Sequence, residues 1–301
     1  MVTSPSYFFW GAPMSRFRPF LLVLPAIILL LFTGLLPFFY AIFYAFSNFI
    51  LTSKKGIEFV GLQNFQKFVD DPEFITSLSR GVCFSSLSVL IELSLGIGIA
   101  FMLSREFKGR NFFKILLCLP LSIPPIIVGA IWRLMVYPGI GPLPYILGLL
   151  GLKYDITTDG LQALVTVVLV NVWHWIPFDA LIILAGLSGI QREVIESSAV
   201  DGATTLQQLR HILMPLIKYE LLLVMLIRFM DSLKIFDEVW MMTGGGPGSA
   251  TRFLSISLYT LILKGWDVGY GAAISLIFLY LMEVLTWILY KVISLYGGGA
   301  S

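Results

Sequence analysis

Charge is what this 301-residue chain has least of: Asp, Glu, Lys and Arg together make up 13% of it, against 57% apolar residues. Soluble domains carry about a quarter charged residues, so a water-soluble globule is excluded. Cysteine is nearly absent. Cys83 and Cys118 lie within or beside apolar segments and read as small buried hydrophobes, which excludes a disulfide framework and a cysteine metal site. Histidine is limited to His174 and His211, which stand alone. No GxxxxGK(S/T), HExxH, CxxC or GxSxG occurs, and the Gly-rich run at 243–248 has no lysine with which to hold phosphates. The chain therefore cannot hydrolyse ATP, binds no cofactor or metal that its motifs reveal, and reads as no enzyme. A formal charge of +2 carries no nucleic-acid signature.

What the chain has instead is blocks of twenty or more apolar residues, each long enough to cross about 30 Å of hydrocarbon as a helix. The expectation is an all-α, polytopic membrane protein with six spans, near 20–46, 78–103, 112–136, 161–187, 216–242 and 270–294, in one permease domain, 20–296. The first block is too long for a signal-peptide core and should remain as a span. Pro120, Pro124 and Pro125 should kink or break the third. Turn signals in 47–77 leave room for one short helix, and another is possible at 143–149. A terminal GGGAS, 297–301, looks like a cloning remnant. Six spans place both termini on one side. Basic residues concentrate there, most clearly at Arg105, Lys108 and Arg110, which puts the termini, with the segment 1–19, in the cytoplasm of a prokaryotic inner membrane.

One polar interval organises the rest. In 189–218, Glu196, Ser197, Ser198 and Asp201 fall within one and a half helical turns, followed by Gly202 and Ala203. Leu206, Leu209, Ile212 and Leu213 then share a face at helical spacing, and Pro215 closes the run. The pattern predicts helix, bend, helix, with Gly202 at the bend. By the same topology this hairpin, 188–215, faces the cytoplasm. An amphipathic interfacial hairpin with no partner is the other reading.

Glu196, Gly202, Ile212 and Pro215 have the spacing of the EAA loop of binding-protein-dependent ABC importer permeases, with Ser197 and Ser198 in place of two alanines and Met214 in place of a leucine. Further stretches are similar to the carbohydrate permeases of the MalF/UgpA type: Ile123-Pro124-Pro125 with Trp132-Arg133, Asn171-Val172-Trp173 with Pro177-Phe178, and Phe236-Asp237-Glu238 with the TGGGP run from Thr243. The C-terminal signature of the MalG-type subunit is missing. The resemblance implies a type I ABC importer fold and an alternating-access cycle. It also implies a second, MalG-like permease, two cytoplasmic ATPase subunits that bind ATP and Mg, and an extracytoplasmic sugar-binding protein. Glu196, Ser197, Ser198, Asp201, Gly202, Ala203 and Pro215 would then form the ATPase-coupling hairpin.

Ionisable groups inside a span face a partner or a watery cavity. Glu92 sits deep in the second span with Ser88 and Gly96 on its face, and Arg228, Asp231, Lys234, Asp237 and Glu238 run along the fifth at i+3 and i+4 intervals. A sugar path needs planar groups that bond hydroxyls and aromatic faces that cover the ring. Asn171, Asp231, Lys234, Asp237 and Glu92 supply the first type, and Trp173, Phe236 and Trp240 the second. The charges can equally neutralise one another along one helix, and the tryptophans can sit in interfacial belts. Two alternatives remain open: an ABC permease for a non-sugar solute, and an ion-coupled secondary transporter.

Overall fold

A computed structural model describes residues 18–297. The expectations for 1–17 and for 298–301 lie outside the described residues. The first span is one continuous helix, built of α1 (Arg18–Leu30), a π turn (Leu31–Leu35) and α2 (Leu36–Ala45). A two-stranded antiparallel ribbon follows, β1 (Ser47–Asn48) against β2 (Glu58–Phe59), and then α3 (Gln63–Asp70). Asn64 Nδ2 donates to the carbonyls of Ala45 and Ser47 at 2.9 and 3.0 Å, fixing this segment to the end of α2.

Helix α4 (Pro72–Ser104) starts where it does because Asp71 accepts the N–H of Glu73 and Pro72 occupies the first turn, where its missing N–H costs nothing. Likewise α8 (Gly160–Ser188) is capped by Asp159, which accepts from Leu161 and Gln162. Between them lie α5 (Arg110–Cys118), a 3-10 turn (Pro120–Ser122), α6 (Pro125–Val136) and α7 (Pro142–Leu149). The chain turns through 95° between the 3-10 turn and α6. Ile123 and Pro124 are extended there, as residues before prolines must be, so the expected third span is a bent pair.

The C-terminal half comprises α9 (Arg192–Val200), α10 (Thr205–Gln208), a π turn (Leu209–Leu213), α11 (Met214–Leu216), α12 (Lys218–Leu233), α13 (Asp237–Met242), α14 (Leu254–Tyr259) and α15 (Val268–Gly297). Among the described residues four helices are long and apolar enough to cross a membrane, or five crossings where the bent pair is counted as one span. The stretch expected as a single fifth span, 216–242, is instead divided at 234–236. Lys234 caps α12, and Phe236 leaves the helical region with φ −139° and ψ −58°. Charged residues at 228, 231, 234, 237 and 238 give this stretch too little apolar surface to run unbroken through lipid.

The centre of the bundle is α4 against α8, with α12 laid across α4 and α13 across α6. Gly129 permits the last contact, since a β-carbon there would come within 2.7 Å of the Glu238 carbonyl. One apolar core joins Phe84, Val128, Val168, Val172, Val239 and Phe253. A second, around Leu103, Ile183, Leu187, Leu213 and Ile217, seats the 189–218 hairpin on the bundle. Both cysteines are free, but Cys83 is exposed and not buried as expected, because it lies on the outward face of α4.

Candidate functional site

Three helices meet around Arg228, which is 1% exposed. From α12 its Nε donates to Glu92 Oε2 on α4 at 3.0 Å and its Nη2 to Glu92 Oε1 at 3.2 Å, a bidentate pair. Its Nη1 donates to Asp231 Oδ2 at 3.2 Å, and its guanidinium lies 4.2 Å from the ring centre of Trp175 on α8. Asp231 is shared with Lys234 at 3.7 Å. The helix-local chain expected from sequence therefore forms as far as Lys234 and stops. Glu238 turns inward across the break and meets His174 Nδ1 at 2.7 Å. The other imidazole nitrogen, Nε2, lies 3.1 Å from the Ile123 carbonyl at the bend of the third span. That carbonyl can only accept, so Nε2 carries the proton.

Above this network opens a recess of about 300 Å³, lined among others by Asn171, Trp175, Asp231, Lys234, Phe236 and Asp237. Asn171 is buried and its Oδ1 has no hydrogen-bond partner within the protein. Asp237 is exposed in the first turn of α13 and makes no hydrogen bond or ion pair among the described residues. Phe236 stacks on Trp240 with ring centres 5.8 Å apart and planes 11° apart, and Tyr259 closes on both. Lys264 Nζ covers Trp240 at 4.7 Å.

The structure thus brings together Asn171, Asp231, Lys234, Phe236 and Asp237, with Trp240 behind Phe236 and Glu92 beneath through Arg228. It does not bring Trp173. That ring packs edge-on against Trp132 at 5.6 Å and borders an apolar groove with Ile99, Leu103, Leu116 and Pro177. The tryptophan at the recess is Trp175, two residues on and so on another helix face. Asp179, one turn further along α8, is fully buried beside Arg228. Its i+4 spacing from Trp175 was available in the sequence, but which helix it faced was not.

At the other end of the bundle lies the hairpin. Helix α9 ends in a Schellman turn: Ala203 N–H donates to Ser198 O at 3.0 Å and Gly202 N–H to Ala199 O at 3.1 Å, with Gly202 at φ +80°. Thr204 and Gln207 then form a capping box that starts α10. Ser198 is buried, and Gln208 Nε2 donates to its hydroxyl at 3.1 Å across the bend. Glu196, Ser197, Asp201, Gly202 and Pro215 are exposed, and Ala203 is half-buried. Leu206 departs from its expected face: it is 71% exposed, as Val200 is 88% exposed, so the tip of the hairpin holds apolar side chains outward. Arg105, at the end of α4, reaches Thr205 Oγ1 at 3.2 Å and ties the hairpin to the second span.

A helical membrane bundle with a polar recess between its helices and a structured hairpin at one end has the make-up of a solute permease. The family described as "Binding-protein-dependent transport system inner membrane component" matches residues 92–294. The chain belongs to that family and is an ABC transporter permease, a multi-pass inner-membrane component. It is 32% identical over 271 residues to a probable ABC transporter permease, y4oQ, of Sinorhizobium fredii, covering 88% of this chain and 87% of that one. It is 34% identical to the trehalose/maltose transport system permease protein MalF of Thermococcus litoralis, over 78% of this chain and 79% of the relative. It is 30% identical to the sn-glycerol-3-phosphate permease protein UgpA of Agrobacterium fabrum, over 90% and 93%. In fold it is similar to a chain of a bacterial ABC transporter involved in the import of the acidic polysaccharide alginate, with TM-score 0.80, 22% identity and coverage of 92% and 94%.

Proposed function

We propose that this chain forms half of the translocation path of an ATP-driven importer for a neutral carbohydrate. The recess carries the reading. Asn171 Oδ1 and the Asp237 carboxylate are acceptors without partners in the protein, and Phe236 and Trp175 provide ring faces beside them. A hydroxyl-rich solute leaving water needs such acceptors. Relatives named for trehalose and maltose transport support the same class.

In this reading a MalG-like permease completes the path and an extracytoplasmic binding protein delivers the sugar. Two ATPase subunits holding ATP and Mg dock on the hairpin, so that hairpin and both termini face the cytoplasm. Glu196 and the outward Val200 and Leu206 are the docking surface, and Ser198 and Gly202 set its shape. The test is uptake of radiolabelled di- and monosaccharides by cells carrying the chain with its neighbouring transport genes. Uptake should follow ATP and survive collapse of the proton gradient. Uptake that persisted without ATP would overturn the reading in favour of an ion-coupled carrier.

A further inference from the structure

The Arg228 network contains one berth more than it uses. Asp179 is fully buried, yet neither of its carboxylate oxygens accepts a hydrogen bond. Its Oδ1 lies 4.0 Å from Arg228 Nε, while Glu92 Oε2 holds the same nitrogen at 3.0 Å. Arg228 uses three of its five N–H groups on Glu92 and Asp231, so donors remain for a further acceptor. The guanidinium rests on Trp175, one helical turn from Asp179 on the same helix, which gives a flat surface along which a planar cation moves without losing contact.

The helix faces around it are made for small displacements. The buried positions of α4 include the small residues Ser85, Ser88, Gly96 and Ala100 around Glu92, between the larger Phe84, Val89 and Leu103. Gly96 sits so close to α8 that a β-carbon would lie 3.0 Å from Asp179 Cβ. The hydroxyls of Ser85, Ser88 and Ser232 make no hydrogen bond that a shift would break. Packed helices move past one another by about 1–2 Å in switching transitions. Bringing Arg228 Nε from 4.0 Å to hydrogen-bond distance of Asp179 Oδ1 needs a movement of about that size.

We propose that Arg228 is a two-position latch: it is held by Glu92 in the state described here and passes to Asp179 when α12 shifts against α4 and α8. In each state one of the two buried carboxylates holds Arg228 and the other goes without it, so the two states are alternatives in which the buried cation always keeps a partner. The latch would give the transmembrane bundle two discrete arrangements in place of a continuum. The inference rests on the alternating-access reading above.

The test places nitroxide labels at Leu95 on α4 and Leu223 on α12, both exposed, in the importer assembled from cells, in a background without Cys83 and Cys118. Spin–spin distances are measured without nucleotide and with ATP and vanadate. The wild type should change distance on trapping. Asp179→Asn, which removes the carboxylate charge 4.0 Å from Arg228 Nε but none of the hydrogen bonds of Arg228 to Glu92 and Asp231, should hold the nucleotide-free distance. Glu92→Gln should take the trapped distance before nucleotide is added. If Glu92→Gln does not assemble, Asp179→Glu, which extends the empty berth toward Arg228, should produce the same shift. Wild-type movement with an unaffected Asp179→Asn variant would overturn the latch and leave alternating access standing. No movement in the wild type would overturn the importer reading, and the latch with it.

Discussion

The carbonyl of Ile123 is received by His174 Nε2 at 3.1 Å, across the bend of the third span. Ile123 is extended before Pro124, and the Ile127 N–H bonds the Pro124 carbonyl instead, so the Ile123 carbonyl has no helical donor, and a carbonyl in hydrocarbon without a partner is costly. The same imidazole holds Glu238 at the break between α12 and α13. One side chain therefore stabilises two helix breaks at once. His174→Ala leaves two buried groups unpaired, each costing about 1–3 kcal/mol. Thermal unfolding of the purified permease in detergent should fall clearly below wild type. His174→Gln, able to reach only one of the two sites, should fall between them. An unchanged midpoint for His174→Ala would show that water or a neighbour takes over both contacts.

At the hairpin, Gly202 carries φ +80° with open space where a β-carbon would stand. Strain and not crowding is therefore what a side chain would add there, about 1–2 kcal/mol for a left-handed residue. Gly202→Ala should lower the stability of the hairpin, read as faster amide exchange in 196–208, while the spans exchange as before. Gly202→Asn should cost less, since asparagine tolerates this region better.

Ser198 and Glu196 separate shape from docking. Ser198 faces inward and bonds Gln208, so Ser198→Leu should push α9 and α10 apart and weaken co-purification of the ATPase. Ser198→Ala loses the bonds to Gln208 and to the Ile195 carbonyl, each worth about 0.5–1.5 kcal/mol, and should weaken the hairpin without splaying it. Glu196 is exposed and touches nothing that folding needs, so Glu196→Lys should insert normally. It should nevertheless uncouple ATP hydrolysis from uptake in the assembled importer. Normal transport by Glu196→Lys would remove the docking role.

Much of this was legible in the residues because it is local. Helix caps, the proline bend and the Gly202 turn depend on neighbours within a few positions, and they fall where Asp71, Asp159, Pro124 and Gly202 required. The break between α12 and α13 was legible in principle from its five charges, but an apolar average over 216–242 masked it. What could not be read was facing. Trp173 and Trp175 look equivalent as letters, yet one borders an apolar groove and the other the recess. Lys234–Glu238 has ideal helical spacing, and the break at 234–236 cancels it. Arg228 and Asp179 are distant in sequence, and no periodicity links residues on different helices.

Asn171 and Asp237 are the residues on which the cargo assignment stands. They line one recess from two elements, α8 and the start of α13; Asn171 Oδ1 is without a hydrogen-bond partner and Asp237 makes no hydrogen bond or ion pair among the described residues. Asp237 is not a structural pair with the nearby cations, since Lys234 bonds Asp231 and Arg252 bonds Glu73 at 2.8 Å. Removing either acceptor should therefore leave folding unaffected and remove one hydroxyl contact from a passing sugar, about 1–3 kcal/mol where the contact is desolvated. At the upper end of that range the loss corresponds to roughly a hundredfold in transport. Asp237→Ala and Asn171→Ala should each lower uptake of a labelled sugar, with the permease recovered in normal amount and its binding protein still retained. Asp237→Asn keeps an acceptor oxygen and should lose less. Reversing Asp237 together with Lys234 should not rescue uptake, because no ion pair joins them; full rescue would make the aspartate structural and remove it from the path.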